Sequence, residues 1–336
     1  MKVAVIGAGA IGGLVGARLA LAGERVTFMV RGANLEAIRS RGIRLIAPDG
    51  SEQVAGGVAA TDDYAAAGRQ DLVILATKAH QLEAIAASLA ALIGPETVIV
   101  PMQNGIPYWY FHRHGGEYEG RPVRSVDSRG RLAESIPPAR VLGCVVYPAS
   151  ELMAPGVVRH VEGERFPLGE LDGSLSDRAR RIAAAFERGG FKAPLLSDIR
   201  AEIWLKLWGN LTFNPISSLT HSTLLEICRH AEARELAAGM MREAAAVANK
   251  LGIEFRVSLE ARIAGAEKVG HHKTSMLQDV ECGREPEIDA LVGSVVELAR
   301  LTGTPTPRID AVYALVKLLA STMGVRGGGV RLREVA

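Results

Sequence analysis

Short apolar bursts alternate with longer amphipathic stretches through the first hundred residues. Val3-Ala4-Val5-Ile6 stops at Gly7, as a buried parallel strand does. Leu14, Val15, Leu19 and Leu21, with small residues between them, suit a helix packed closely on a sheet and ending at Gly23. Residues 25–30 read as a second strand, residues 71–76 and 97–100 as two more, with a helical stretch at 81–90 between the last two. Strands alternating with helices predict an α/β region built on an open, doubly wound parallel sheet of the Rossmann type.

The rhythm then changes twice. Residues 106–140 open on Tyr108, Trp109 and Tyr110 and continue with Gly, Arg, Ser and Pro, which reads as a long insert, a short helix followed by a hairpin, offering a lid or a dimer contact. Short β-like runs return between 141 and 168, and 175–187 looks helical. From about residue 198 the chain turns to long amphipathic stretches at 198–214, 224–251, 257–270, 285–302 and 308–322. The expected organisation is a nucleotide-binding domain over 1–197, an all-helical C-terminal domain over 198–324, and a flexible tail at 325–336 with nothing to bury.

Composition narrows the function classes. The 39 Lys+Arg nearly balance 37 Asp+Glu, and aromatics make up only 5%, so neither a basic footprint nor a base-stacking surface for nucleic acid is indicated. Lys2, the apolar residues after it and Ala20-Leu21-Ala22 imitate a signal peptide. Five glycines and Arg18 inside that run speak against it, and no other stretch is apolar enough for a membrane span. Three cysteines, Cys144, Cys228 and Cys282, are widely spaced with no CxxC, which suits a reducing cytoplasm and suggests no zinc site. A small-molecule partner is the expectation that remains, and the apolar helices are compatible with a homodimer.

Gly7-Ala8-Gly9-Ala10-Ile11-Gly12 is a GxGxxG pattern between the first strand and its helix. There the first glycine allows the tight turn, the second lets backbone approach a pyrophosphate, and the third permits close helix-to-strand packing. At the end of the second strand, where NAD enzymes carry Asp or Glu for the ribose 2′-hydroxyl, this chain carries Arg31. A guanidinium pairs with a 2′-phosphate, so NADP(H) is expected over NAD(H).

Two strand ends carry polar residues where this fold places its ligand crevice: Thr77-Lys78, and Gln103-Asn104-Gly105. Taken singly, Lys78 is also an ordinary helix-start lysine and Asn-Gly an ordinary turn. In the second domain Lys206, Asn210 and Asn214 follow one another at i, i+4, i+8, drifting only about 40° per step around a helix. Ile203, Trp204, Leu205, Leu207, Trp208, Leu211 and Phe213 make that helix apolar over much of its circumference. A polar stripe there either faces a cleft, where Lys206 can act as a general acid, or is the solvent side of an amphipathic helix.

Three blocks together resemble the ketopantoate reductase (2-dehydropantoate 2-reductase) family. They are the glycine motif with Arg31, the run from Arg200 to Lys206 with Asn210 and Asn214-Pro215, and Ser275-Met-Leu-Gln-Asp279 followed by Glu287-Ile-Asp289. The resemblance implies hydride transfer from NADPH to the keto carbon of 2-dehydropantoate, with Lys206 as proton donor. It further implies that Asn210 and Asn214 bind substrate hydroxyl and carbonyl groups and that Ser275 holds the carboxylate. Asn104 would touch cofactor and substrate, Lys78 the nicotinamide ribose, and Glu287 the cofactor. On the residues alone, Ser275 reads equally as a helix cap, Glu287 as a first-turn helix residue, Asp279 as structural, and His112, His114, His271 and His272 as solvated loop residues. The alternatives to this activity are reduction of a different 2-keto acid by the same two-domain build, and a non-catalytic NADPH sensor.

Overall fold

A computed structural model, which describes residues 1–332, divides the chain into two compact units. Unit one holds Met1–Gln103, Tyr108–Pro122 and Asp127–Ile199; unit two holds Asn104–Pro107, Val123–Val126 and the chain from Arg200 onward.

Unit one runs β1 (Lys2–Ile6), α1 (Ala10–Leu21), β2 (Arg25–Met29), α2 (Gly32–Arg41), β3 (Ile43–Ile46), β4 (Glu52–Ala55), β5 (Ala59–Thr61), α3 (Tyr64–Ala67), β6 (Leu72–Leu75), α4 (Leu82–Leu89) and β7 (Val98–Pro101). It continues through α5 (Arg131–Ser135), β8 (Gly143–Cys144), β9 (Ala149–Ala154), β10 (Val157–Glu162), β11 (Leu168–Gly169) and α6 (Asp177–Arg188). The central sheet is wholly parallel, in the order β5-β2-β1-β6-β7, with Val3 opposite both Val26 and Leu72. β6 and β7 are buried throughout, and β1 is buried after Lys2, as expected of strands covered on both faces. Because β2 lies to one side of β1 and β6 to the other, the order reverses at β1, and the loops after β1 and β6 meet at that switch point.

A second sheet, β4-β3-β10-β9, is not expected from the sequence, whose β-like runs after 141 are short and scattered. It joins β3 to β10 in parallel across more than a hundred residues, a pairing that local pattern does not announce. The 106–140 stretch also differs from expectation, since no strand occurs between β7 and β8. Tyr108, Trp109 and Tyr110 are not the exposed aromatics that a lid or a dimer contact built on them would need: with Phe111 they are buried. Tyr108 Oη donates to the Ile136 carbonyl at 2.8 Å, and Tyr110 meets Phe111 edge-on at 4.9 Å. Asp127 caps α5, accepting from the Leu132 and Ala133 amides at 3.1 Å each.

Unit two carries α7 (Ile199–Thr220, whose first residue belongs to unit one), α8 (Leu224–Arg229), α9 (Ala231–Lys250), α10 (Leu259–Lys268), α11 (Ser275–Glu281), a π turn (Asp289–Gly293), α12 (Ser294–Leu301) and α13 (Pro307–Arg326). No strand lies among its described residues. α7 runs on through Pro215, where the sequence suggests a stop. The missing N–H costs one ladder bond; Ser218 Oγ donates to the Pro215 carbonyl at 3.0 Å, and burial of residues 211–218 outweighs the loss. The expected helix at 224–251 is broken at His230, whose ring accepts the Ala233 amide and starts α9. Glu243, buried in α9, accepts the Arg308 and Ile309 amides at 3.0–3.1 Å and so caps α13. In the stretch expected as a tail, Val330 N–H donates to the Val280 carbonyl at 3.1 Å, and residues 333–336 lie outside the described residues. Among the described residues no helix is long and apolar enough to cross a membrane.

Candidate active site

On unit one the site begins where β1 ends. Gly7 sits at φ +93°, and its amide donates to the Met29 carbonyl at 3.0 Å. A Cβ on Gly12 would lie 2.0 Å from the Gly7 carbonyl oxygen and 2.8 Å from Ala76 Cβ, so only glycine lets α1 approach the turn this closely. Gly9 is the cap of α1, no side chain takes the first-turn amides, and a Cβ at Gly9 would meet nothing within 4 Å. Ala10 and Ile11 form the half-buried first turn, while Ala8 is buried. Free amides at the positive end of a 12-residue helix, facing open space, fit a diphosphate.

Thr77, two residues past β6, packs its methyl beside Gly7, and its Oγ1 is buried with no hydrogen-bond partner among the described residues. Such an orphan calls for a polar ligand. Lys78 is half-buried at the head of the single turn Ala79–Gln81. Gln103, expected from the sequence to face a ligand, is engaged by backbone instead: its Nε2 donates to the Leu75 and Thr77 carbonyls at 2.9 and 2.8 Å, tying the segment after β7 to the end of β6. Arg31 is exposed at the start of α2. Burial pushes the Tyr64 phenol up, against the opposing pull of the Arg31 charge. Asn34 escaped the sequence reading. Its Nδ2 donates to the Ala8 carbonyl at 3.4 Å and its Oδ1 accepts the Gly156 amide at 3.0 Å, tying the glycine loop to the turn before β10. The only signal for it was an asparagine in the first turn of α2.

On unit two, Lys206 Nζ donates to Asn104 Oδ1 at 2.7 Å, both side chains half-buried. The flanking Ile203, Trp204, Leu207, Trp208, Leu211 and Phe213 are all buried; Trp208 is fixed by a 2.7 Å bond to the Met241 carbonyl and a stack on Phe255 at 4.0 Å. Asn210 is half-buried. Asn214 is 5% exposed and its Nδ2 has no partner among the described residues, which a solvent-facing stripe would not produce. Thr274, not Ser275, caps α11, accepting the Leu277 amide at 3.3 Å; the Ser275 hydroxyl stands exposed at the first helical position. Asp279 is paired with Arg284 at 3.0 Å. Glu287 is half-buried just ahead of the π turn. The four loop histidines gather no metal site: among the described residues no three His, Cys, Asp or Glu side chains come together for one.

A glycine turn at a Rossmann switch point, carried on one chain with an amide-paired ammonium in a helical unit, fits an NAD(P)-dependent oxidoreductase acting on a CH–OH group, the class to which the chain's relatives belong. Comparison with known proteins specifies it further. Residues 3–173 match the family described as Ketopantoate reductase PanE/ApbA, and residues 198–320 match its C-terminal domain. A 2-dehydropantoate 2-reductase of Mesorhizobium japonicum is 52% identical over 325 residues, covering 96% of this chain and 99% of that protein. A Ralstonia solanacearum protein of known structure is 44% identical with a TM-score of 0.92, covering 96% of this chain and 98% of that one. The structure of 2-dehydropantoate 2-reductase from Geobacter metallireducens is 26% identical with a TM-score of 0.83, over 95% and 99% of the two chains. The chain belongs to the ketopantoate reductase family.

Proposed function

We propose that the protein reduces 2-dehydropantoate to pantoate with NADPH, as a cytoplasmic enzyme of pantothenate and coenzyme A biosynthesis. The observation that carries this reading is the 2.7 Å hydrogen bond from Lys206 to Asn104, which holds an ammonium in a fixed direction on a helix whose flanking Ile203, Trp204, Leu207 and Trp208 are buried. The names of the relatives above supply the substrate, and three free cysteines suit the compartment.

NADPH, when bound, supplies a hydride to the keto carbon. The chain's own residues do the rest. The amides from Gly9 to Gly12 and the α1 dipole hold the pyrophosphate, Thr77 Oγ1 is a further donor to the cofactor, and Lys78 takes the nicotinamide ribose. Arg31 pairs with the 2′-phosphate, and no carboxylate stands in its place to select a 2′-hydroxyl. As negative charge develops on the carbonyl oxygen, Lys206 donates its proton there, completing the CH–OH group. Asn104 orients the ammonium by accepting one of its three protons. The unpartnered Asn214 amide and Asn210 take the hydroxyl and carbonyl of the substrate, and the Ser275 hydroxyl takes its carboxylate. Glu287 contributes a contact to the cofactor.

The test is loss of NADPH absorbance with 2-dehydropantoate, run beside NADH and a panel of other 2-keto acids, for wild type and Arg31→Ala. Preferred turnover of 2-dehydropantoate with NADPH is expected. The variant should lose about ten- to hundredfold of its preference for NADPH over NADH, the worth of one charge-assisted contact. Turnover confined to another keto acid would keep the chemistry and overturn the substrate; binding of NADPH without turnover of any would overturn the enzyme.

A further inference from the structure

Asn104 is held by its backbone. Two residues on, the Ile106 amide donates to the Ala290 carbonyl at 3.0 Å, and Ser294 Oγ donates to the same oxygen at 2.7 Å. In an unbroken α-helix that carbonyl would belong to the Ser294 amide. Here the Ser294 amide reaches one residue further back, to the Asp289 carbonyl, the i to i+5 pattern of the π turn. One extra residue in the helix therefore releases a carbonyl at the point where the 104–107 segment arrives. Gly105 completes the fit: at φ +93° it brings the chain so close that a Cβ would lie 2.0 Å from the Ala290 oxygen.

The π turn is itself clamped from α13. The Asp289 carboxylate, at its first residue, accepts Tyr313 Oη at 2.7 Å and Lys317 Nζ at 3.0 and 3.1 Å. Gly293, its last residue, clears the space this pair occupies; a Cβ there would lie 2.9 Å from Tyr313 Oη and 3.1 Å from Asp289 Oδ1. The lysine pair is 48% and 46% exposed and contributes little, whereas the phenol–carboxylate bond is short and charge-assisted. Burial and the neighbouring carboxylate push the Tyr313 phenol up, so it remains a donor wherever the enzyme works.

We infer that Asp289, clamped by Tyr313, is a positioning residue for the reduction: it holds the π turn whose Ala290 carbonyl fixes Asn104, and through Asn104 it aims the Lys206 ammonium. The inference rests on Lys206 being the proton donor.

The experiment compares Asp289→Asn and Tyr313→Phe with wild type, each also on a Lys206→Ala background, in NADPH-dependent reduction of 2-dehydropantoate with kcat and KM separated. Peptide hydrogen exchange over residues 104–107 is read in parallel. Asp289→Asn should lower kcat about tenfold or more and Tyr313→Phe by less, with KM for NADPH within about twofold and faster exchange at 104–107. On the Lys206→Ala background the same substitution should change the residual rate by less than about twofold, because the group it aims is gone. Unchanged kcat in both single variants, or an equal fall on both backgrounds, overturns the inference while leaving Lys206 as the donor. Wild-type turnover by Lys206→Ala overturns the donor itself and the inference with it. Tyr313→Phe removes one half-buried hydroxyl and keeps the test open if Asp289→Asn does not fold.

Discussion

Gly9 to Gly12 in unit one and Lys206 in unit two both offer N–H donors for the proposed reaction, yet they are held in opposite ways. The glycine loop uses backbone amides, and its six residues, Gly7 to Gly12, run unbroken from the end of β1 into the first turn of α1. The Lys206 ammonium is a side chain aimed by Asn104, a partner 102 residues away in the chain, itself set by a carbonyl of the π turn. The first arrangement is proof against most side-chain changes and fragile to any added Cβ. The second depends on a polar side chain at each end and on the backbone that carries Asn104.

Substitutions on the glycine loop should show the largest effects, and they should divide by where the Cβ goes. Gly12→Ala places it 2.0 Å from the Gly7 oxygen, so the turn must open; NADPH affinity should fall roughly a hundredfold and the melting temperature should drop. Gly9→Ala meets nothing within 4 Å, so the free protein should melt as wild type while NADPH binds about tenfold more weakly. Equal melting temperatures for the two variants would break the distinction. In unit two, Asn214→Leu removes a buried amide nitrogen that has no partner among the described residues. Stability should hold or rise while kcat/KM for the keto acid falls about ten- to hundredfold; a clear loss of stability would make Asn214 structural.

A smaller effect calibrates what an ordinary buried ion pair does in unit one. Burial pushes the Glu170 carboxyl up, but Arg178 at 2.6 and 2.7 Å and the Ser176 hydroxyl outweigh it and hold it below its ordinary value of 4.5. A carboxyl depressed on folding stabilises above its unfolded value and loses that contribution as pH falls through its folded one. Glu170→Gln should therefore cost roughly 1–3 kcal/mol at pH 7 in a thermal melt, leaving turnover per folded molecule unchanged. The cost should shrink as the pH is brought below 4.5; a penalty independent of pH would point to packing instead.

What could be read from the sequence follows the same division. Strand, glycine turn and helix are neighbours in the chain, so the parallel sheet, the cradle and Arg31 were visible in it, as were Lys206, Asn210 and Asn214 on one helix. The β3–β10 pairing, the burial of Tyr108 to Phe111 and the π turn depend on contacts between distant segments, and no local pattern carries them. Pro215 inside α7 shows packing overriding a strong local signal, and Gln103 shows a polar residue at a strand end serving the backbone. Ser275 reads from sequence either as a helix cap or as a carboxylate ligand; the cap is its neighbour Thr274, which accepts the Leu277 amide, and no sequence signal separates two adjacent hydroxyls.

The most direct test of the account is single-turnover oxidation of bound NADPH by 2-dehydropantoate in wild type and Lys206→Ala, with NADPH affinity measured on the same samples. Loss of the proton donor should slow the step by about 10² to 10⁴ while NADPH affinity stays within about threefold of wild type. A variant that oxidises NADPH at the wild-type rate would contradict the assignment of Lys206.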